Sequence, residues 1–229
     1  MAPEKNAWVD LVDKTHPITY EHGLELHEQF EETSIIHFRQ LFGASALQAI
    51  RERVCPLLKM TARKDTERGG TPRKMNTLDA KTISQYAPDV KKFYKDTRLR
   101  KFLEGIFGEM VFLLDDAIGQ FVLNVLKKKG DTHGGHLDRH PLAFNVIVQT
   151  PKKGGLVEFV PDSGDAGALN SDRVKTIRLE AGDAYLLKAD TSVHRVAPIS
   201  EGQRIALSFS YSDVHKRKLK AYAHELYQE

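Results

Sequence analysis

The sequence of 229 residues predicts a mainly β domain, an antiparallel sandwich or jelly roll, preceded by supporting helices. Two observations predict this fold class. From about residue 1 to 107, apolar residues recur at three- and four-residue steps, which is typical of amphipathic helices. From about 108 to 213, short runs rich in β-branched and aromatic residues are separated by Gly, Pro, Asp and Asn. Because no internal repeat or long linker interrupts the chain, we expect a single domain over residues 1–229.

The front segment is expected to be helical with one early strand. Helical spacing runs from Tyr20 to about Met60, and Pro56 is expected to end or kink the second helix. Within this stretch, residues 34–38 (SIIHF) predict a short strand at the edge of a sheet. Residues 61–77 lose periodicity and carry Gly-Gly and Pro, which predicts a basic loop. Two further helices are expected over residues 79–86 and 88–107.

The back segment is expected to supply the strands of the jelly roll. Runs of four to eight β-favouring residues bounded by turn residues are the usual signature of such strands. A basic C-terminal segment, residues 214–229, is compatible with a helix. The predicted strands are Val111–Leu114, Phe121–Leu126, Leu142–Gln149, Leu156–Val160, Val174–Leu179, Ala184–Leu187 and Ile205–Tyr211.

Composition excludes several classes of protein. A formal net charge of +3, from 34 Lys and Arg against 31 Asp and Glu, is too small for a dominant nucleic-acid surface. The single cysteine, Cys55, excludes an intramolecular disulfide framework and a cysteine-built zinc site. No apolar run is long enough for a transmembrane helix, and the N-terminus lacks the apolar core of a secretory signal. We therefore expect a cytoplasmic protein that binds neither nucleic acid nor membrane.

Three residues form the sharpest chemical pattern, a candidate iron site. His136 and Asp138 are separated by one residue, and alternate residues of an extended strand project to the same side. His194 comes from a later strand region that can return across a jelly roll. Two neutral imidazoles and one carboxylate form the facial triad that holds Fe(II) and leaves three coordination positions open. A lone His-x-Asp is usually a surface pair, so the prediction depends on the ordered set.

Arg204 completes that set at the start of an apolar strand. A permanently charged, forked guanidinium near the metal suits the far carboxylate of 2-oxoglutarate. The 2-oxo acid end of this cosubstrate would take two open positions on iron, and the third is left for O2. His140 lies two residues after Asp138, but a fourth protein ligand would block the O2 position, so we leave it out of the predicted ligand set. Asn124 is expected to be a packing residue.

These residues resemble the Fe(II)/2-oxoglutarate-dependent oxygenases of the double-stranded β-helix, or cupin-like, fold. The closer resemblance is to the BesD-type free-amino-acid halogenases and their hydroxylase relatives, over most of the chain from about Arg63 to Tyr211. The pattern HxD…H…R is shared by the whole superfamily, whereas the other motifs point to the subgroup. Those motifs are residues 70–75 (GTPRKM), 130–138 (GDTHGGHLD), 154–161 (GGLVEFVP), 182–186 (GDAYL) and 194–198 (HRVAP).

The resemblance makes Asp138 the residue that decides the reaction. In halogenases of this group Gly or Ala replaces the carboxylate, and chloride binds iron in its place. Because the carboxylate is present here, the resemblance implies hydroxylation of an unactivated C–H bond rather than halogenation. Desaturation or oxidative cyclisation after the same hydrogen abstraction remains open.

The resemblance also implies which residues bind the substrate. Arg73 would pair with the carboxylate of an amino acid, and His133 would line the pocket. Lysine-specific members have an acidic residue three positions after the first metal-binding His, where this chain has Arg139. A free amino acid with a neutral or acidic side chain is therefore expected, with Arg139 as partner of a second carboxylate. On charge alone, Arg73 is an ordinary solvated residue of a basic loop, and His133 could simply satisfy the turn.

Two alternatives belong to other functional classes. A non-catalytic cupin-like binding protein could retain the metal site, although the full set of four site residues argues against it. A protein-modifying hydroxylase would act on peptides, but the sequence has no obvious peptide-docking extension. We expect a small-molecule substrate, and the sequence does not address the oligomeric state.

Overall fold

The computed structural model describes residues 20–68 and 71–213. The α-helices lie in the first half of the chain, as predicted, but the single helix expected over residues 88–107 is divided at Asp96 into two. The 3-10 segment Cys55–Met60 begins directly after the second helix, where Pro56 stands, as expected. The helices are α1 (Tyr20–Thr33), α2 (Ala44–Val54), α3 (Ala80–Tyr86), α4 (Pro88–Lys95) and α5 (Thr97–Phe107).

Two antiparallel sheets form the body of the fold. The strands are β1 (Ile35–Phe38), β2 (Ala62–Arg68), β3 (Thr71–Leu78), β4 (Phe112–Leu113), β5 (Phe121–Leu126), β6 (His133–His136), β7 (Leu142–Gln149), β8 (Lys153–Gly154), β9 (Val157–Val160), β10 (Lys175–Ile177), β11 (Ala184–Lys188), β12 (Val193–Val196), β13 (Ile199–Glu201) and β14 (Arg204–Ser212). The larger sheet has eight strands, in the order β1-β11-β7-β14-β5-β3-β2 with β4 paired to β14. The smaller sheet has the order β10-β9-β12-β6, and β13 pairs with β8 in a two-stranded ribbon.

The large sheet is buried on both faces. Successive side chains of β14 point to opposite faces and belong to two different apolar clusters. Ile205, Leu207 and Phe209 belong to an apolar cluster that the helices also build. Ala206, on the opposite face, belongs to a second cluster to which the small sheet contributes Phe159. The fold is therefore a jelly roll with supporting helices, as the sequence predicts, and the structure shows that the helices cover the outer face of the large sheet.

Helix α4 fastens the helical layer to the sheet through two aromatic residues. The Tyr94 hydroxyl donates to the carbonyl of Ser210 and accepts from the backbone N–H of Leu114. The ring of Phe93 packs edge-on against that of Phe209, at 5.3 Å between centroids. These contacts keep the strand that begins with Arg204 in a fixed position relative to the helices.

The prediction of a loop over residues 61–77 is wrong. The segment is the hairpin β2–β3, and β3 continues the large sheet by pairing with β5, with Asn76 opposite Val125. Strand β3 alternates between buried and exposed residues, but one of its inward side chains is Arg73. Because polar groups hold inward positions, the apolar alternation that marks a strand is absent from the sequence.

Smaller differences concern strand limits. The predicted strands Val111–Leu114 and Val174–Leu179 are shorter in the structure, and β6, β8, β12 and β13 were not among the predicted runs. The predicted C-terminal helix, residues 214–229, lies outside the described residues. Within residues 20–68 and 71–213, no helix is long and apolar enough to cross a membrane.

Candidate metal centre and its pocket

Three of the predicted site residues meet at the rim of the small sheet. His136 ends β6 and His194 lies in β12, where the two are direct partners across the antiparallel pair. Asp138 follows in the connection to β7 and lies between them. Its Oδ1 is 3.6 Å from Nε2 of His136, and its Oδ2 is 3.9 Å from Nε2 of His194. One ligand atom from each of the three residues lies within 4.8 Å of the others.

Backbone carbonyls orient both imidazoles. Nδ1 of His136 lies 2.7 Å from the carbonyl oxygen of Gly134, and Nδ1 of His194 lies 2.9 Å from that of Ser192. A carbonyl oxygen only accepts, so each Nδ1 is the protonated nitrogen and each Nε2 keeps a free lone pair. The loop is held separately, since the backbone N–H of Asp138 donates to the carbonyl of Ala189 at 2.8 Å. The two lone pairs and the carboxylate therefore converge.

Electrostatics keep His136 and Asp138 in the forms that bind a metal. Burial, with a contribution from His194, lowers the pKa of His136 to about 3, so its ring is neutral at physiological pH. Burial alone would raise the pKa of Asp138, but His140, His136 and His194 hold the pKa of this carboxyl well below its usual range. Two neutral imidazoles and one ionised carboxylate suit Fe(II). The residues present therefore fit an iron ion.

A cavity of about 60 Å³ adjoins this centre, between the two sheets. Arg204 lines it from β14 and is only 5% exposed. Tyr185 of β11 forms a hydrogen bond with the guanidinium, which counteracts the lowering of the Arg204 pKa by burial. Nη2 of Arg204 is buried without a hydrogen-bond partner in the described chain. A buried cation with an unused donor is costly unless an anion binds there, so this end of the cavity favours a carboxylate ligand.

Two of the residues predicted to bind the substrate line the same cavity. Arg73 projects inward from β3 and is 7% exposed. His133, at the start of β6, stacks near His136 with 4.2 Å between ring centroids. Its Nε2 is buried without a hydrogen-bond partner in the described chain, and burial lowers its pKa well below the ordinary value. Arg139, in contrast, is exposed and does not line this cavity.

Sequence reasoning missed a polar row on the inner face of the large sheet. We define it as Thr77, Asn124, Ser208 and Asn145, one residue each from β3, β5, β14 and β7. The Thr77 hydroxyl donates to Asn124 Oδ1 at 3.3 Å, and Asn124 Nδ2 donates to the Ser208 hydroxyl at 3.2 Å. That hydroxyl donates in turn to Asn145 Oδ1 at 2.5 Å. The detectable signal was a single Asn inside each of two apolar runs, FVLNVL and LAFNVIVQ.

Three solved structures share the fold at low sequence identity. The epimerase SnoN of nogalamycin biosynthesis, described as non-heme and α-ketoglutarate-dependent, is 16% identical with a TM-score of 0.70, over 90% of this chain and 87% of its own. A 2OG-Fe(II) oxygenase family protein from Burkholderia pseudomallei is 14% identical with a TM-score of 0.67, over 85% and 92%. A prolyl hydroxylase from Trichoplax adhaerens is 14% identical with a TM-score of 0.65, over 88% and 96%.

Comparison at the level of sequence is more specific. No curated protein matches the chain. The profile of one family, Halogenase D, matches residues 18–229, which is nearly the whole sequence and includes the triad, Arg204 and Arg73. The chain therefore belongs to the Halogenase D family, on a jelly-roll fold shared with 2-oxoglutarate-dependent enzymes.

Proposed function

We propose that this enzyme uses Fe(II), 2-oxoglutarate and O2 to hydroxylate an unactivated C–H bond in a small carboxylate-bearing substrate. The substrate class is a free amino acid with a neutral or acidic side chain. One observation carries the proposal: the Asp138 carboxylate stands with the imidazoles of His136 and His194 at a cavity that also contains two buried guanidinium groups.

The metal ligands would be His136, Asp138 and His194. When bound, Fe(II) with 2-oxoglutarate and O2 supplies the oxidant that removes a hydrogen atom from the substrate and returns a hydroxyl group. The protein contributes the geometry, because the carbonyls of Gly134 and Ser192 already direct the two Nε2 lone pairs toward one point. Little rearrangement is then needed when the ion binds.

Arg204 would hold the far carboxylate of 2-oxoglutarate. Its unused Nη2 donor and its near-complete burial favour an anionic partner with two oxygens. Tyr185 already bonds the same guanidinium and would fix its orientation. Sequence reasoning did not identify Tyr185, whose place beside Arg204 depends on the sheet order.

The second guanidinium, Arg73, would bind the carboxylate of the substrate. Arg73 is nearly buried at the cavity wall, where its charge acts on the neighbouring ring of His133. His133, whose Nε2 is without a hydrogen-bond partner in the described chain, lines the same cavity. Two guanidinium groups therefore allow two carboxylates to enter together, one from the cosubstrate and one from the substrate. Arg139 as partner of a further carboxylate stays a prediction.

Halogenation is the competing reaction, and the family membership favours it. A halide ligand would need the coordination position that Asp138 fills. Since the carboxylate lies between the two imidazoles and its low pKa keeps it ionised, we favour return of hydroxyl over transfer of halogen. Desaturation and oxidative cyclisation would share the same binding residues.

An anaerobic titration followed by an aerobic assay tests the proposal. Fe(II) and 2-oxoglutarate are added first, and the visible charge-transfer band of the chelate is recorded. Each proteinogenic amino acid is then added separately, and we expect a neutral or acidic one to shift the band. Oxygen is admitted in the presence of chloride, and the product is examined by mass spectrometry.

Gain of one oxygen atom by the amino acid supports the proposal. Replacement of hydrogen by chlorine would establish halogenation instead, and loss of two hydrogens would establish desaturation or cyclisation. A chelate band that no amino acid shifts would contradict the substrate class. No band at all would favour a non-catalytic binding protein.

A further inference from the structure

His140 lies at the cavity wall without a role in the ligand set. It follows Asp138 by two residues in the connection between β6 and β7. Its side chain is 12% exposed, and its Nε2 lies 3.3 Å from Asp138 Oδ2. Neither ring nitrogen makes a well-formed hydrogen bond within the described chain. Since a buried polar group is costly without a partner, this arrangement calls for an explanation.

The groups around the Asp138 carboxylate indicate what role His140 has. Three imidazoles approach Asp138, and two of them belong to the predicted metal ligands. The candidate metal group in the described residues does not include His140. Among the three imidazoles, His140 is thus the donor available to the carboxylate once a metal occupies the other two.

We propose that His140 is a positioning residue: its Nε2–H donates to Oδ2 of Asp138 and leaves Oδ1 to the metal. The inference rests on the proposed iron site. The observed separation of 3.3 Å is within reach, but the N–H is not aligned with Oδ2, and such contacts commonly shorten and align when a site is loaded. Partners of this kind usually set the orientation of a ligating carboxylate.

Holding one oxygen matters because of the coordination count. A carboxylate that binds through one oxygen leaves three positions on an octahedral ion, which the cosubstrate chelate and O2 require. If Asp138 rotated to bind through both oxygens, one of those positions would be lost. His140 would prevent that rotation by engaging the second oxygen.

Two variants test the inference with metal binding rather than turnover. His140→Phe keeps a planar ring but removes the donor, whereas His140→Gln keeps an N–H that can reach the carboxylate. Fe(II) affinity is measured anaerobically with 2-oxoglutarate, from the chelate band. The visible absorption of Co(II) in the same site reports the coordination number, and thermal unfolding checks that each variant folds.

We expect His140→Phe to weaken Fe(II) binding about 10-fold, within the range found for such partners, and to change the Co(II) spectrum. His140→Gln should stay close to the wild type in both measurements. If His140→Phe binds Fe(II) as tightly as the wild type with the same Co(II) spectrum, the inference is overturned while the iron site stands. If the wild type binds neither metal, the proposed function fails first and the inference with it. If His140→Phe does not fold, His140→Asn replaces it, because we expect its shorter amide to fall short of Oδ2. Wild-type Fe(II) affinity and a wild-type Co(II) spectrum in His140→Asn would then overturn the inference.

Discussion

His136 and His194 face each other as direct partners of an antiparallel strand pair, with 4.3 Å between their ring centroids. Each ring is fixed by the carbonyl of the residue two positions before it, Gly134 or Ser192. The same local hydrogen bond, from Nδ1 to the carbonyl two residues earlier, thus occurs at both histidines. Because each contact is to the backbone of the same segment, the local backbone conformation directs each imidazole, and strand pairing brings the two together.

Replacement of the carboxylate tests the reaction type. We expect Asp138→Gly to lower hydroxylation by at least about 100-fold, since loss of a ligand should cost more than loss of a partner to a ligand. In the presence of chloride, any remaining product should include the chlorinated amino acid. Mass spectrometry of the product measures both. Undiminished hydroxylation by this variant would show that Asp138 is not a ligand.

Arg204 should control the cosubstrate. Arg204→Met is expected to raise the KM for 2-oxoglutarate about 10- to 100-fold, because charge-assisted hydrogen bonds to a buried carboxylate are lost. Arg204→Lys keeps the positive charge but loses the forked guanidinium, so its KM for 2-oxoglutarate should lie between those of the wild type and Arg204→Met. Tyr185→Phe removes the hydroxyl that bonds the Arg204 guanidinium but leaves the guanidinium in place, so it should raise this KM only about 3- to 10-fold. A KM unaffected by Arg204→Met would place the cosubstrate elsewhere.

Arg73 should control the substrate alone. In Arg73→Gln we expect the Fe(II)–2-oxoglutarate band to form at wild-type cosubstrate concentrations, because Arg204 and the triad are intact. The shift of that band by the amino acid should require about 10-fold more amino acid or more. Titration of the band with each ligand separates the two effects. An equal weakening of 2-oxoglutarate binding and amino-acid binding would mean that Arg73 contributes to the fold or to metal binding instead.

Two adjacent glycines provide a steric test of how β6 is positioned. A Cβ at Gly134 would lie 2.5 Å from the backbone oxygen of Pro72, whereas one at Gly135 would lie 2.7 Å from the mobile end of Leu169. A side-chain methyl group can move aside by a change of rotamer, whereas the backbone oxygen of Pro72 cannot move without shifting the strand. We therefore expect Gly134→Ala to lower the free energy of unfolding by about 1–3 kcal/mol and to weaken metal binding.

Gly135→Ala is the matched control and should have a smaller effect on both. Urea unfolding gives the stability, and the chelate band gives metal binding. Equal effects of the two variants would show that the approach of β6 to Pro72 does not constrain the site.

Acid stability should depend on Asp131. Burial would raise the pKa of this carboxyl, but the backbone N–H groups of Lys128 and Lys127 and the Arg63 guanidinium lower it overall. A carboxyl with a lowered folded pKa stabilises the fold above its unfolded pKa, near 4. That stabilisation is lost as pH falls from about 4 through the folded pKa.

We expect Asp131→Asn to lower the free energy of unfolding by about 1–3 kcal/mol at pH 7 and to flatten its decrease below about pH 4. Asp65, the exposed second partner of Arg63, is the control, and Asp65→Asn should change little. Urea unfolding at a series of pH values gives the comparison. An unchanged acid profile in Asp131→Asn would contradict the assignment.

The limits of sequence reasoning follow from which contacts are local in sequence. His136 and Asp138 are separated by one residue, and this spacing, together with His194 and Arg204 later in the chain, indicated a metal site. Asp138 itself lies just beyond the end of β6, in the connection to β7, and not on the strand. The polar row was not predictable, because Ser208 meets Asn124 and Asn145 across 84 and 63 residues of sequence. Only the strand order and register bring them together. The hairpin containing Arg73 was missed for a related reason, since inward polar residues remove the apolar alternation.

The hydrogen bond from the backbone N–H of Asp138 to Ala189 has a consequence for divergence. This bond holds the loop through the peptide and not through the side chain. Exchange of aspartate for glycine needs a single nucleotide change, and the hydrogen bond from this N–H to the carbonyl of Ala189 would remain. If Asp138 sets the reaction as we propose, a change at this one codon can alter the chemistry without rebuilding the jelly roll around it.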